Sequence, residues 1–133
     1  MIDSHTHVVP ENFPPYPGKD PDHAWPCMHC GHGNHTTVMI RGKAFREVND
    51  TSWSATSRLR DMKEEGVDRQ VLSPMPELLS YWFNARDALA FGRHINGTIA
   101  GLVAEEPERF FGLGMVPLQD PDVAAREVRV LKH

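Results

Sequence analysis

Beyond Trp53 the chain alternates between helical and strand patterns with clear punctuation, and this alternation constrains its fold more than any other feature. Ser54 can cap a helix running to about Glu65, with Leu59 and Met62 on one face and Gly66 as its C-terminal stop. The short strand Gln70-Val71-Leu72-Ser73 follows, ended by Pro74 and Pro76. Asn84, with Asp87 three residues on, caps the longest helix, whose apolar stripe is Ala88, Gly92, Ile95, Ile99 and Leu102 at steps of four and three. Pro107 closes that region, and Phe110 to Val116 is another strand-like run. Asp120 caps a last helix with Pro121 at its first position and Val123, Val128 and Leu131 available to its buried side. Strands and helices in alternation imply βα units, a parallel sheet with helices packed over it.

The last residues, Lys132-His133, fall inside a helical pattern with no glycine cap and no polar tail. Three βα units leave sheet edges unpaired and fall well short of a closed barrel, so the chain reads as the N-terminal part of something longer. The alternative is a small complete domain whose last helix frays.

The first strand carries the chemistry. Met1 to Pro10 reads Met-Ile-Asp-Ser-His-Thr-His-Val-Val-Pro. In an extended backbone alternate side chains share a face, so the His5 and His7 imidazoles point the same way, roughly 6–7 Å apart at their roots. Both rings can then reach one metal ion. Pro10 has no backbone N–H and bars further pairing, which sets the pair where strand gives way to loop, the place where parallel-sheet enzymes build their sites. Spacing alone leaves open a solvated pair at a frayed terminus.

From Glu11 to about His35 the chain is rich in proline, glycine and histidine and shows no periodicity, which reads as a long loop or insertion. Inside it Cys27, Cys30 and His35 have the C-x2-C-x4-H spacing that begins a zinc knuckle. The fourth ligand should stand at position 40, where Ile40 cannot bind metal, and His32 could substitute only by crowding four ligands into nine residues. Next, Thr36 to Arg41 and Ala44 to Val48 are β-prone runs around Gly42-Lys43, the pattern of a hairpin. Its arginines, Arg41 and Arg46, are ordinarily solvated on such an element; the alternative role is a bidentate clamp on a carboxylate.

Composition removes several classes of function. With 133 residues the chain can bury a sizeable core, and 40% hydrophobic against 24% charged residues is ordinary for a globular domain. A net charge of −4 speaks against a nucleic-acid or anionic-membrane surface. No apolar run approaches a transmembrane span and no basic-then-apolar leader opens the chain. Two cysteines make no disulfide framework, so a reducing cytoplasm is the expected setting.

Several of these pieces, taken in order, resemble one family. They are Ile2-Asp3-Ser4-His5-Thr6-His7 with Pro10, Gly42-Lys43-Ala44-Phe45-Arg46, and Trp53. Arg58-Leu59-Arg60-Asp61-Met62, Gly66 to Ser73 and Tyr81-Trp82 continue the series, which closes with Phe111-Gly112-Leu113-Gly114 and Val116 to Pro121. The chain is similar to the N-terminal part of an amidohydrolase-superfamily protein, of the aminocarboxymuconate-semialdehyde decarboxylase-like branch. The resemblance implies the N-terminal portion of a (β/α)8 barrel, residues 1–133, with an insertion at about 11–52 that holds a loop and a hairpin after the first strand. It implies zinc or another divalent metal held by His5 and His7, with the remaining ligands and the general base beyond His133. Arg46 matches an arginine that meets a substrate carboxylate, and Lys43 and Phe45 are its neighbours. His94, away from any matched ligand, reads as a surface or packing residue.

The activity so implied is metal-dependent decarboxylation, a carbon–carbon lyase reaction on a small unsaturated or aromatic carboxylic acid, with this stretch inactive alone and a homodimer admissible. A metal-dependent hydrolase of an amide, ester or lactone is the first alternative, since the same centre can attack a carbonyl. A small zinc-binding interaction module built on Cys27, Cys30, His32 and His35 is the second.

Overall fold

The computed structural model describes residues 1–18, 24–30 and 35–131. Its first strand, β1 (Ile2–Val8), is followed by three more, β2 (Cys27–Cys30), β3 (His35–Ile40) and β4 (Lys43–Asn49). A 3-10 turn at Asp50–Ser52 leads into α1 (Ala55–Glu65) and β5 (Arg69–Pro74). After a second 3-10 turn at Pro76–Leu79 come α2 (Ala85–Glu105), β6 (Phe110–Gly112) and α3 (Pro121–Leu131). Among the described residues no helix is long and apolar enough to cross a membrane.

The strands β1, β5 and β6 form a parallel sheet in the order β1-β5-β6. The alternation along β5 explains how it is covered. Gln70, Leu72 and Pro74 are buried beneath the helices while Val71 and Ser73 turn to the other, more open face. Register carries this two-sidedness across the sheet, pairing Thr6 with Leu72 and His7 with Ser73, and Val71 with the exposed Phe111. On the covered face Val8, Leu72 and Phe110 meet Met62 of α1 and Phe91, Ile95, Ile99 and Leu102 of α2 in one apolar cluster. All five residues of the anticipated α2 stripe are buried.

Local signals set the helix ends. The Ser54 side chain accepts the Ser57 N–H, and Gly66 closes α1 in the left-handed conformation at φ 70°. Asn84 accepts the Asp87 N–H at 2.9 Å to start α2, and Asp120 accepts from Val123 at 3.0 Å to start α3.

Between β1 and α1 in the chain lies an antiparallel sheet in the order β2-β3-β4. The β3–β4 hairpin is present, but its turn is Arg41-Gly42 rather than Gly42-Lys43, because Ile40 pairs directly with Lys43. Both turn residues have positive φ, 53° and 70°, the two-residue turn whose twist matches that of the flanking strands. Cys27–Cys30, expected as loop, is instead the strand β2, with Met28 opposite Val38. Four residues without alternation gave it no local signature; pairing with β3 makes it a strand.

Two further expectations change. The strand-like run from Phe110 stops at Gly112, because the Asn96 side chain of α2 takes both the N–H and the carbonyl of Met115, at 2.8 and 2.9 Å, and draws the backbone off the sheet. On α3 the residues facing inward are Ala124 and Glu127, whereas Val128 and Leu131 are exposed and Val123 is half-buried. Arg93 of α2 turns the helix this way by gripping the buried Glu127 carboxylate with two hydrogen bonds, at 2.9 and 2.7 Å.

Candidate functional site

The His5 and His7 side chains lie on the open face of the parallel sheet, on β1 just before the chain leaves through Val9 and Pro10. Between Asp3 and Thr6, β1 takes three residues where β5 takes two, a bulge that re-aims the strand at His5. The Asp3 carboxylate stabilises it by accepting the His5 N–H at 3.1 Å. The two imidazoles come within 4.9 Å of each other, centroid to centroid, with their planes 76° apart. His5 is exposed and His7 half-buried.

Two neighbours hold His7. On β5, Ser73 Oγ lies 3.1 Å from His7 Nδ1 and donates to the Thr6 carbonyl at 2.9 Å. From α1, Arg58 donates through Nη2 to the His7 carbonyl at 3.0 Å and through Nη1 to the Gln70 side chain at 3.1 Å. The Arg58 side chain is only 6% exposed, and its Nε is buried without a hydrogen bond to any described residue. Burial pushes its pKa down, and the charges of Asp3 and Asp61 oppose that shift. Neither Arg58 nor Ser73 was anticipated as a site residue. A signal existed for each: Arg58 stands four residues before Met62 on the buried stripe of α1, and Ser73 alternates with Leu72.

The hairpin residues are placed less closely. Arg46, Lys43 and Phe45 are all exposed on β4, with the Arg46 guanidinium 5.9 Å from the Phe45 ring. Register sets Arg46 opposite the fully buried Val38, hence on the same face of the antiparallel sheet as Val38 and Met28. At the hairpin tip the Arg41 guanidinium lies 5.1 Å from the centre of the Trp82 ring, tying the hairpin to the segment after β5. His94 donates one bond, from Nε2 to the Asn12 carbonyl at 2.7 Å, a packing role as expected.

The knuckle reading finds no support in the backbone. A C-x2-C knuckle needs a tight turn between its cysteines, and Cys27–Cys30 is an extended, paired strand. His35 engages Glu47 at 3.1 Å, and His32 lies outside the described residues. Among the described residues no three His, Cys, Asp or Glu side chains gather where one ion could bind them all. What the arrangement offers is two imidazoles side by side, braced from α1 and β5, on a face open to further groups.

Comparison with known proteins bears on the chain's family and fold. The model of the amidohydrolase family matches residues 2–133. Over 130 residues the chain is 37% identical to the 2-amino-3-carboxymuconate-6-semialdehyde decarboxylase of Dictyostelium discoideum, a match covering 96% of this chain and 36% of that enzyme. It therefore spans little more than a third of that relative's length. Among solved structures, a dihydroxybenzoic acid decarboxylase from Polaromonas sp. JS666, with bound manganese and the inhibitor 2-nitroresorcinol, superposes with a TM-score of 0.54 at 35% identity, over 58% of this chain and 24% of that one. The apo IDCase of Metarhizium anisopliae matches over 97% of this chain and 38% of its own, with a TM-score of 0.66 at 16% identity, a likeness of fold.

Proposed function

The chain belongs to the amidohydrolase family, of the branch of the aminocarboxymuconate-semialdehyde decarboxylases, and on that premise we propose that it is the N-terminal part of a metal-dependent decarboxylase acting on a small aromatic or unsaturated carboxylic acid. In this reading residues 1–133 supply the first strands and helices of a (β/α)8 barrel, and the antiparallel sheet within about 11–52 is an insertion beside its mouth. The setting is the cytoplasm, on the count of two cysteines.

The spacing of His5 and His7 carries the proposal. Two imidazoles bound tetrahedrally to one ion, each through a nitrogen about 2 Å away, have ring centroids about 5 Å apart. Those of His5 and His7 are 4.9 Å apart. The donor set suits zinc, or manganese as in the Polaromonas enzyme, and catalytic sites of this kind use three protein ligands, so others from the rest of the barrel would complete it. Such an ion, when bound, supplies a Lewis acid that makes water a nucleophile near neutral pH.

The chain's own residues then divide the work. His5 and His7 hold the ion, and the bulge at Ser4 and His5 directs both rings to one side. Arg46 offers a planar fork to the carboxylate of the substrate, and Lys43 and Phe45 flank it as charge and apolar wall. Holding that carboxylate in register is an orientation effect, and misplacement by about an ångström lowers rates on the order of 100-fold.

The experiment is metal analysis and turnover of the intact protein. The double variant His5→Ala/His7→Ala should lose its metal and its release of carbon dioxide from dihydroxybenzoate or aminocarboxymuconate-type acids. Arg46→Ala should keep its metal and lower kcat/KM about 100-fold. Full metal occupancy in the double histidine variant would refute the ligand assignment; turnover of esters or lactones but of no carboxylic acid would refute the decarboxylase.

A further inference from the structure

We propose that Ser73 is a positioning residue that selects the tautomer of His7, keeping its proton on Nδ1 and leaving the Nε2 lone pair free for a metal ion. The inference deepens the metal-site reading above and rests on it. Its basis is a count of hydrogens. The Ser73 hydroxyl has one hydrogen, and it is committed, because the Thr6 carbonyl 2.9 Å from Ser73 Oγ can only accept. The same oxygen lies 3.1 Å from His7 Nδ1. With its hydrogen turned to Thr6, Ser73 can meet His7 only as an acceptor, so Nδ1 must donate.

A neutral imidazole carries one N–H, so a proton held on Nδ1 leaves Nε2 as the unprotonated, ligating nitrogen. The serine is itself well anchored. Register sets Ser73 beside His7 on the open face of the sheet, and the next residue, Pro74, pairs with Val8 at the end of β5. The neighbouring Thr6 hydroxyl donates to the Val71 carbonyl at 2.8 Å, so a second side chain cross-links β1 and β5 beside the His7–Ser73 contact. The ring is thus oriented by the strand that follows α1, before any ion arrives. His5 receives its brace differently, through the backbone N–H that Asp3 accepts.

Long-range proton–nitrogen NMR correlation on the metal-free, intact protein, with the His7 signals identified by their loss in His7→Gln, reads the tautomer directly. The wild type should show His7 protonated at Nδ1. Ser73→Ala should shift it toward Nε2–H, and Ser73→Thr, which keeps the hydroxyl, should restore it. A wild-type spectrum with His7 protonated at Nε2 overturns the proposal whether or not the alanine variant folds. An unchanged tautomer in Ser73→Ala does the same.

Cobalt(II) titration separates this proposal from the reading beneath it. His7→Gln should lose cobalt binding, and Ser73→Ala should weaken it about 10–100-fold. If His7→Gln binds cobalt as the wild type does, the metal reading fails and the role of Ser73 with it. If His7→Gln loses cobalt while Ser73→Ala binds as tightly as the wild type, only the role of Ser73 is refuted.

Discussion

Arg58 occupies a place where helix periodicity calls for an apolar side chain, on the same stripe of α1 as Ala55 and Met62. It bridges three elements by bonding the His7 carbonyl of β1 and the Gln70 side chain of β5. Burying a guanidinium is costly, and here two hydrogen bonds and the nearby Asp3 charge offset only part of that cost, since Nε finds no partner among the described residues. Removing it is worse, since Gln70 Oε1 and the His7 carbonyl would lose their donors. Arg58→Ala should therefore destabilise the protein by about 2–4 kcal/mol in urea unfolding. Arg58→Met should lose less, because it fills the space and removes the buried charge. Equal losses for the two variants would mean that the polar bridge, and not packing, is what position 58 provides.

At the scale of elements, the two ends of α1 show how far local chemistry reaches. Ser54 and Gly66 sit where the pattern of the chain puts a start and a stop, and both perform those roles. Gly66 has φ 70° with open space around the position a Cβ would take, so only backbone strain opposes a side chain there. Gly66→Ala should cost about 1–2 kcal/mol, and Gly66→Asn less, measured by thermal or urea unfolding. A neutral alanine would show that α1 can end without the left-handed residue. The hairpin was legible in the same way, although its turn moved by one residue to Arg41-Gly42. The strand β2 was not legible, because nothing in Cys27–Cys30 favours a strand until β3 lies beside it. The α3 face was misread for a related reason. Helix periodicity identifies a stripe but not its partner, and the Arg93–Glu127 pair chose the face that Ala124 and Glu127 share.

Over the whole molecule the apolar surface is uneven. One face of the parallel sheet is closed by α1 and α2, while the other leaves Phe111 45% exposed. Leu113 and Leu118, and Val128, Val130 and Leu131 on α3, are exposed as well. Large apolar side chains left in water in this number favour association. The 133-residue chain alone should therefore bind the dye ANS and self-associate in sedimentation velocity. Val130→Lys should reduce that association while leaving the helical circular dichroism unchanged. A monomeric chain that leaves ANS dark would show that these faces are closed in solution.

Sequence by itself determined the parts that local physical chemistry controls. Alternating periods of two and near 3.6, with caps of Ser54, Asn84 and Asp120 and a glycine stop, specify βα units, because capping and amphipathicity act within a few residues. The His-x-His pair on one side of β1 is equally local, since side-chain alternation needs only an extended backbone. Tertiary structure alone decided the rest. The bond between His7 and Ser73 spans 66 positions and that from Arg58 to the His7 carbonyl spans 51, so no window of sequence contains either. A hydroxyl or guanidinium acquires its role from the acceptor that folding brings to it, and strand register, set by pairing over long separations, chooses that acceptor.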